Sequence, residues 1–99
     1  MRTGQQRNFS SLKPELRPEV RYRSERDGAI VFDTARYAIY TTNRTGLMIL
    51  KRMNGKASCG ELLELLSRRF NSASRCILKR DLHSFLEDLE NADLLDFKG

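Results

Sequence analysis

The chain has a single histidine and two cysteines, and Cys59 and Cys76 do not fall at metal-ligand spacing. With no second imidazole to complete a set, no metal site of the usual kind is expected. His83 stands between Leu82 and Ser84 with no Cys or Asp pair to organise a nucleophile around it. Both thiols are expected to be reduced and semi-buried, since free cysteine generally packs as a small hydrophobe. Gly4, Gly28, Gly46, Gly55 and Gly60 are scattered, so no loop is built to cradle a phosphate. No apolar run approaches the ~20 residues that span a bilayer, and Met1-Arg2-Thr3-Gly4-Gln5-Gln6-Arg7 leads into no signal-peptide core. These absences point to a cytoplasmic protein that needs no cofactor and is a binder rather than an enzyme.

What is present fits one modest core. At 99 residues, 39% hydrophobic and 31% charged, a single domain buries roughly two-thirds of the surface its unfolded chain exposes. The net charge of +5 is uneven: seven basic against three acidic residues in 1–26, seven against four in 27–70, and four against six in 71–99. A basic front suits an acidic peptide, a nucleic acid or an acidic protein surface, and does not choose between them.

Residues 1–13 mix Gln, Arg, Asn and Ser and read as a flexible arm, with the domain proper over 14–99; Pro14 and Pro18 hold the residue before each in extended geometry. Val20 to Arg26 opens with apolar and charged residues alternating at period two, as in a strand with one wet face. Asp27-Gly28 is a hairpin-turn signal. Ala29-Ile30-Val31-Phe32 reads as a middle strand, and Asp33-Thr34-Ala35-Arg36 turns the chain into Tyr37-Ala38-Ile39-Tyr40-Thr41-Thr42. That last stretch is β-branched and aromatic with no charge, Gly or Pro, and an unpaired segment of such composition recruits another strand. As the third strand of a meander it is an edge.

Beyond Thr42 the period becomes helical. Thr42 or Asn43 caps a helix carrying Leu47, Met48, Leu50 and Met53, with Asn54-Gly55 as its left-handed stop. Ser58-Cys59-Gly60-Glu61 has the form of a capping box and opens a second helix, to about Phe70, that buries Leu62, Leu63, Leu66 and Phe70. A third runs from about Ser74 to Asn91 with a stripe of Ile77, Leu78, Leu82, Phe85, Leu86 and Leu89. Leu94, Leu95 and Phe97 form an apolar tail that packs back on the core. The expected class is α+β: a three-stranded antiparallel meander followed by three helices, resembling a winged helix-turn-helix.

Two binding modes fit. In the first, an extended peptide adds beside 37–42 and drops side chains into the gap against the third helix. Each backbone hydrogen bond yields a net ~0.5–1.5 kcal/mol, while ordering a peptide residue costs ~1–2 kcal/mol, so pairing alone roughly breaks even. Buried anchors at ~1.5–3 kcal/mol each supply the affinity. Tyr37, Ala38, Ile39, Tyr40 and Thr41 on the strand, with Leu78, Leu82 and His83 on the helix, are the candidates to line this groove. Arg75 and Lys79, one turn apart, would meet acidic residues of the guest. In the second mode the third helix enters the DNA major groove with Arg75, Lys79 and Arg80 near its start. Asp81, Glu87, Asp88 and Glu90 on the same helix oppose a polyanion.

Arg23-x-Glu25-x-x-Gly28-x-Ile30-x-Phe32-Asp33, Tyr40-x-Thr42-Asn43-x-Thr45-Gly46-x-x-Ile49-Leu50, Gly55 before the capping box, and Asp81-Leu82-x-x-Phe85-Leu86-x-x-Leu89 together resemble the PqqD-like family over about residues 14 to 95. The family comprises small recognition elements of peptide-natural-product pathways. The resemblance implies a winged-helix domain that binds the leader of a ribosomally made precursor peptide and presents it to a modifying enzyme, often a radical S-adenosylmethionine protein. That enzyme would carry any iron–sulfur cluster. It also implies that the leader adds as a fourth strand beside 37–42 and against about 75–86. Thr42 stands where the family usually has Leu, and Asp93 where it usually has Gly after the last helix; Asp tolerates left-handed geometry better than most residues. A homodimer paired through the same open strand stays a possible resting state.

Overall fold

In the computed structural model, which describes residues 9–98, a 3-10 turn (Phe9–Ser11) leads into strands β1 (Lys13–Leu16), β2 (Val20–Glu25), β3 (Gly28–Asp33) and β4 (Ala38–Asn43). Helices α1 (Arg44–Leu50), α2 (Cys59–Arg69) and α3 (Arg75–Asn91) follow, then strand β5 (Leu95–Lys98). The sheet β2-β3-β4 is an antiparallel meander with β4 at one edge. Side chains alternate across it. Val20, Ala29 and Val31 are buried beneath the helices, while Arg21, Arg23 and Ile39 on the other face are exposed. The α+β class and a three-stranded meander followed by three helices are as the sequence leads one to expect.

Helices α1 and α2 begin where side-chain chemistry dictates, while Ser74 opens α3 without a side-chain cap. The Asn43 side chain accepts the Gly46 amide at 3.0 Å, and Ser58 with Glu61 forms the reciprocal capping box. Leu62, Leu63 and Leu66 of α2 meet Leu78, Leu82, Leu86 and Leu89 of α3 in one core, which the sheet's Val31 completes. Each such leucine contributes about 1.5–3 kcal/mol by burial. Cys59 is buried here and its thiol is pushed up to about 11, whereas Cys76 is exposed rather than semi-buried. No helix among the described residues is long and apolar enough to cross a membrane.

The structure adds a second, two-stranded sheet, β1 with β5, that the sequence does not announce. Pro14 is compatible with it because its carbonyl faces Gly55, whose amide it accepts at 3.2 Å, so its missing donor lies on the side away from β5. The tail thus packs back as a strand, with Leu94 and Leu95 buried. Of the expected arm, residues 1–8 lie outside the described residues. Phe9 and Leu12 pack on the core, and the Leu12 carbonyl accepts the Cys59 amide at 2.7 Å.

Three boundaries differ from expectation. The first hairpin turns at Arg26-Asp27, with Gly28 already paired to Glu25. Helix α1 ends at Leu50, short of Asn54-Gly55, because Arg52 and Met53 bond back at three-residue spacing and Asn54 bridges to Glu15. Tyr37 belongs to the turn, at φ 59°, and the strand runs 38–43 rather than 37–42.

That second turn is organised by Asp33, which is 1% exposed. Its carboxylate accepts the amides of Ala35 and Arg36 and the Arg36 Nε at 2.8, 3.1 and 3.0 Å. The same guanidinium reaches the Asp93 carboxylate and the carbonyls of Ala92 and Asp93. Asp93 itself sits at φ 60°, filling the left-handed position after α3. Burial pushes the Asp33 pKa up, but the hydrogen bonds from Arg36 and Ala35 outweigh it and hold the carboxyl below its ordinary value.

A folded-state pKa below the unfolded value of about 3.9 means that the stabilisation is present in full above that value and is lost as pH falls through the depressed one. The Asp33→Asn variant keeps an acceptor but not the charge. It is expected to melt at lower temperature than the parent at neutral pH and to show a flatter decline in Tm on acidification, as thermal melts across the acid range will show.

Candidate functional site

The edge of β4 is open in a definite register. The Thr34 amide donates to the Glu19 carbonyl, so Thr34 turns its backbone toward β2, and by alternation Ala29, Val31 and Asp33 turn theirs toward β4. Their partners Thr42, Tyr40 and Ala38 spend their own backbone groups on β3. Consistent with this, a Cβ on Gly28 would overlap the Thr42 carbonyl oxygen. The N–H and C=O of Ile39 and Thr41 therefore point away from the sheet, where no strand among the described residues pairs with them.

Beside this edge lies a groove of about 500 Å³ between β4 and α3. Its floor is core: Ile49 of α1, Leu66 of α2, and Leu78 and Leu82 of α3. Tyr40 and Phe85 face each other across it with ring centroids 6.3 Å apart at 56°. Burial pushes the Tyr40 phenol up, and the nearby Asp88 carboxylate adds to the shift. The hydroxyl thus stays protonated at neutral pH. At the far end Thr42 rests on Gly46, where a Cβ would collide with the Thr42 hydroxyl and methyl. The turn from strand to helix is tight because position 46 has no side chain.

The family model for coenzyme PQQ synthesis protein D (PqqD) matches residues 28–95. The chain belongs to the PqqD family. Two solved structures share its fold. TbiB1 in complex with the TbiA(beta) leader peptide is 20% identical, with 83% of this chain and 94% of that one covered at a TM-score of 0.74. A lasso peptide synthetase B1 complexed with the leader peptide is 19% identical, with 85% and 98% covered at a TM-score of 0.74. No curated protein matches the chain.

On this PqqD-family scaffold the residues singled out from the sequence divide. Tyr40, Leu78 and Leu82 meet in the groove, and Ala38, Ile39 and Thr41 lie along the edge strand beside it. Ile39 and Thr41 supply backbone there, while their side chains lie on the other sheet face, with Ile39 71% exposed. Four residues stand elsewhere. Tyr37 projects from the turn, Arg75 is tied to Glu64 and Ser67 of α2 at 2.6 and 3.1 Å, and His83 packs its ring on Phe9 at 4.9 Å. Lys79 is exposed on the same flank of α3 as Arg75 and His83, four positions from each. The opposite flank, with Ile77, Asp81, Ser84 and Asp88, lines the groove. These residues were not singled out for it, although the helical period already separates the two flanks.

Replacing a helical glycine by alanine ordinarily gains about 1 kcal/mol. Gly46→Ala is instead expected to destabilise, because overpacking against Thr42 costs about 1–3 kcal/mol. Thr42→Ala in the same chain should recover part of the loss, a non-additivity that urea melts of the two single variants and the double variant will read directly.

Proposed function

We propose that this chain captures the leader of a ribosomally synthesised precursor peptide by strand addition and presents it to a modifying enzyme, without catalysis of its own. The observation that carries this is the outward pair of backbone groups on Ile39 and Thr41, set beside an apolar groove. An extended guest pairs with these groups and buries alternate side chains, the combination needed for net affinity. Two proteins of this fold have been solved with leader peptides, which supports the same role here.

The finer parts of the reading are proposals of the same kind. The modifying partner is taken to be a radical S-adenosylmethionine enzyme, and the compartment the cytoplasm. Residues 14–99 form the single recognition unit, preceded by an arm. Helices α2 and α3 with the β2–β3 hairpin are read as a winged helix-turn-helix put to peptide rather than DNA use. The DNA mode would want Arg75 free to enter a major groove, and that guanidinium is engaged by Glu64.

The test is a proline at Ile39. It removes one outward amide from an edge strand, a position where proline is tolerated. With a peptide selected on the parent from a random display library, Ile39→Pro is expected to weaken binding roughly tenfold, the equivalent of one backbone hydrogen bond at ~1.4 kcal/mol, with a smaller effect on Tm. Titrations and melts of parent and variant give both quantities; unchanged affinity would show that the guest does not use this edge.

A further inference from the structure

We infer that the guest of this groove is a cationic peptide, with a bulky apolar residue flanked two positions to either side by Lys or Arg; this rests on the peptide-capture reading above. The charge carried by the groove is opposite in sign to that of the protein. Net charge is +5, yet the charged residues that line the groove, among those described, are Asp81 and Asp88. The cations of α3 are directed elsewhere: Arg75 is paired with Glu64, and Lys79 stands on the opposite flank. Arg80 approaches Asp81 at 3.8 Å with both side chains largely exposed, a contact that water and a competing guest cation easily exchange. Arg36, in the turn that precedes β4, is held by Asp33 and Asp93.

Geometry sets the spacing. Asp81 and Asp88 are seven positions apart on α3, or about 10 Å at ~1.5 Å per residue. In an extended guest, side chains on one face recur every ~6.8 Å. An apolar residue seated over Phe85, Leu82 and Ile49 therefore brings its same-face neighbours to within a few ångströms of the two carboxylates, one on each side. The long stems of Lys or Arg take up the remaining distance while covering apolar wall. The pattern is symmetric, so it holds for either direction of the guest strand. Asp88 shares the groove lining with Tyr40, near enough to raise the pKa of its phenol, so this carboxylate stands on the strand side of the helix.

The experiment uses the full chain, immobilised, and three pools of dodecapeptides. Each pool carries Leu, Ile, Phe or Tyr at a fixed central position and Lys, Gln or Glu two positions to either side, with the other positions randomised. Retention is expected to fall from the Lys pool to Gln to Glu, by at least about threefold per step, and the steps should shrink in high salt. Non-specific attraction to a basic protein would give the reverse order. A double variant, Asp81→Asn with Asp88→Asn, removes both charges at nearly constant shape and, once its fold is verified by circular dichroism, should hold the Lys and Gln pools alike. Equal or better retention of the Gln or Glu pool by the parent, or an unchanged Lys preference in the double variant, overturns the charge assignment and leaves peptide capture standing. Retention of none of the pools overturns both.

Discussion

A buried carboxylate governs the geometry of this domain. An ionised group removed from water at a cost of several kcal/mol must be met by donors, and Asp33 is met by two amides of its own turn and by Arg36. Arg36 has donors to spare, and they close on the carboxylate of Asp93 and the carbonyls that end α3. The turn that delivers β4 is thereby fastened to the far end of the helix that faces β4. At the other end of the strand, Asn43 is both the last strand residue and the cap of α1, and Thr42 lies against Gly46. The strand is thus tied at its start to the end of α3 and at its finish to α1, and the groove lies between these two fastenings.

An edge kept open in this way is ordinarily a hazard, since unpaired backbone beside apolar side chains invites other chains. Two features restrain it. The available length is short, with only Ile39 and Thr41 offering both groups between the Arg36 clamp and the helix cap. The groove below is also not loose surface: Leu78 and Leu82 serve at once as its floor and as core, so it cannot collapse without loss of packing that the fold requires. A guest therefore meets a preformed site, and little of its binding energy is spent on ordering the protein.

The parts of this architecture that could be read from the sequence are those that local chemistry specifies. Ser58 and Glu61 announce α2, the leucine period gives α3 almost to the residue, and the alternation around Val20 gives β2. The pairing of β1 with β5 joins the two ends of the chain and has no local signature, and Pro14 argues against a strand unless the position of Gly55 is known. The parity of β4 was hidden for a different reason. With Ile39 on one face and Tyr40 on the other, the strand looks apolar on both, and a one-residue shift exchanges the faces. What settles it is the contact of Thr42 with Gly46, which places Thr42 and Tyr40 inward. On α3 the buried stripe was legible, but its two flanks are equivalent to a sequence reading. The Glu64–Arg75 pair turns one flank to α2 and leaves Ile77, Asp81 and Asp88 for the strand.

The net charge of the chain likewise does not report the charge of the groove lining, which comes from Asp81 and Asp88. Net charge describes the field at a distance, and at physiological salt that field fades over about 8 Å. Within the groove the near carboxylates dominate because, although both stand exposed, their separation from a seated cation is below that length. A cationic guest thus gains nothing from long-range steering and is slightly repelled on approach, and once seated it is held by two close carboxylates whose attraction added salt weakens. Discrimination among guests then lies chiefly in how slowly the right one leaves, the usual seat of affinity differences between related complexes. A groove of this kind separates the two tasks: backbone pairing along β4 holds any extended guest, and the near charges with one apolar anchor set which guest stays longest.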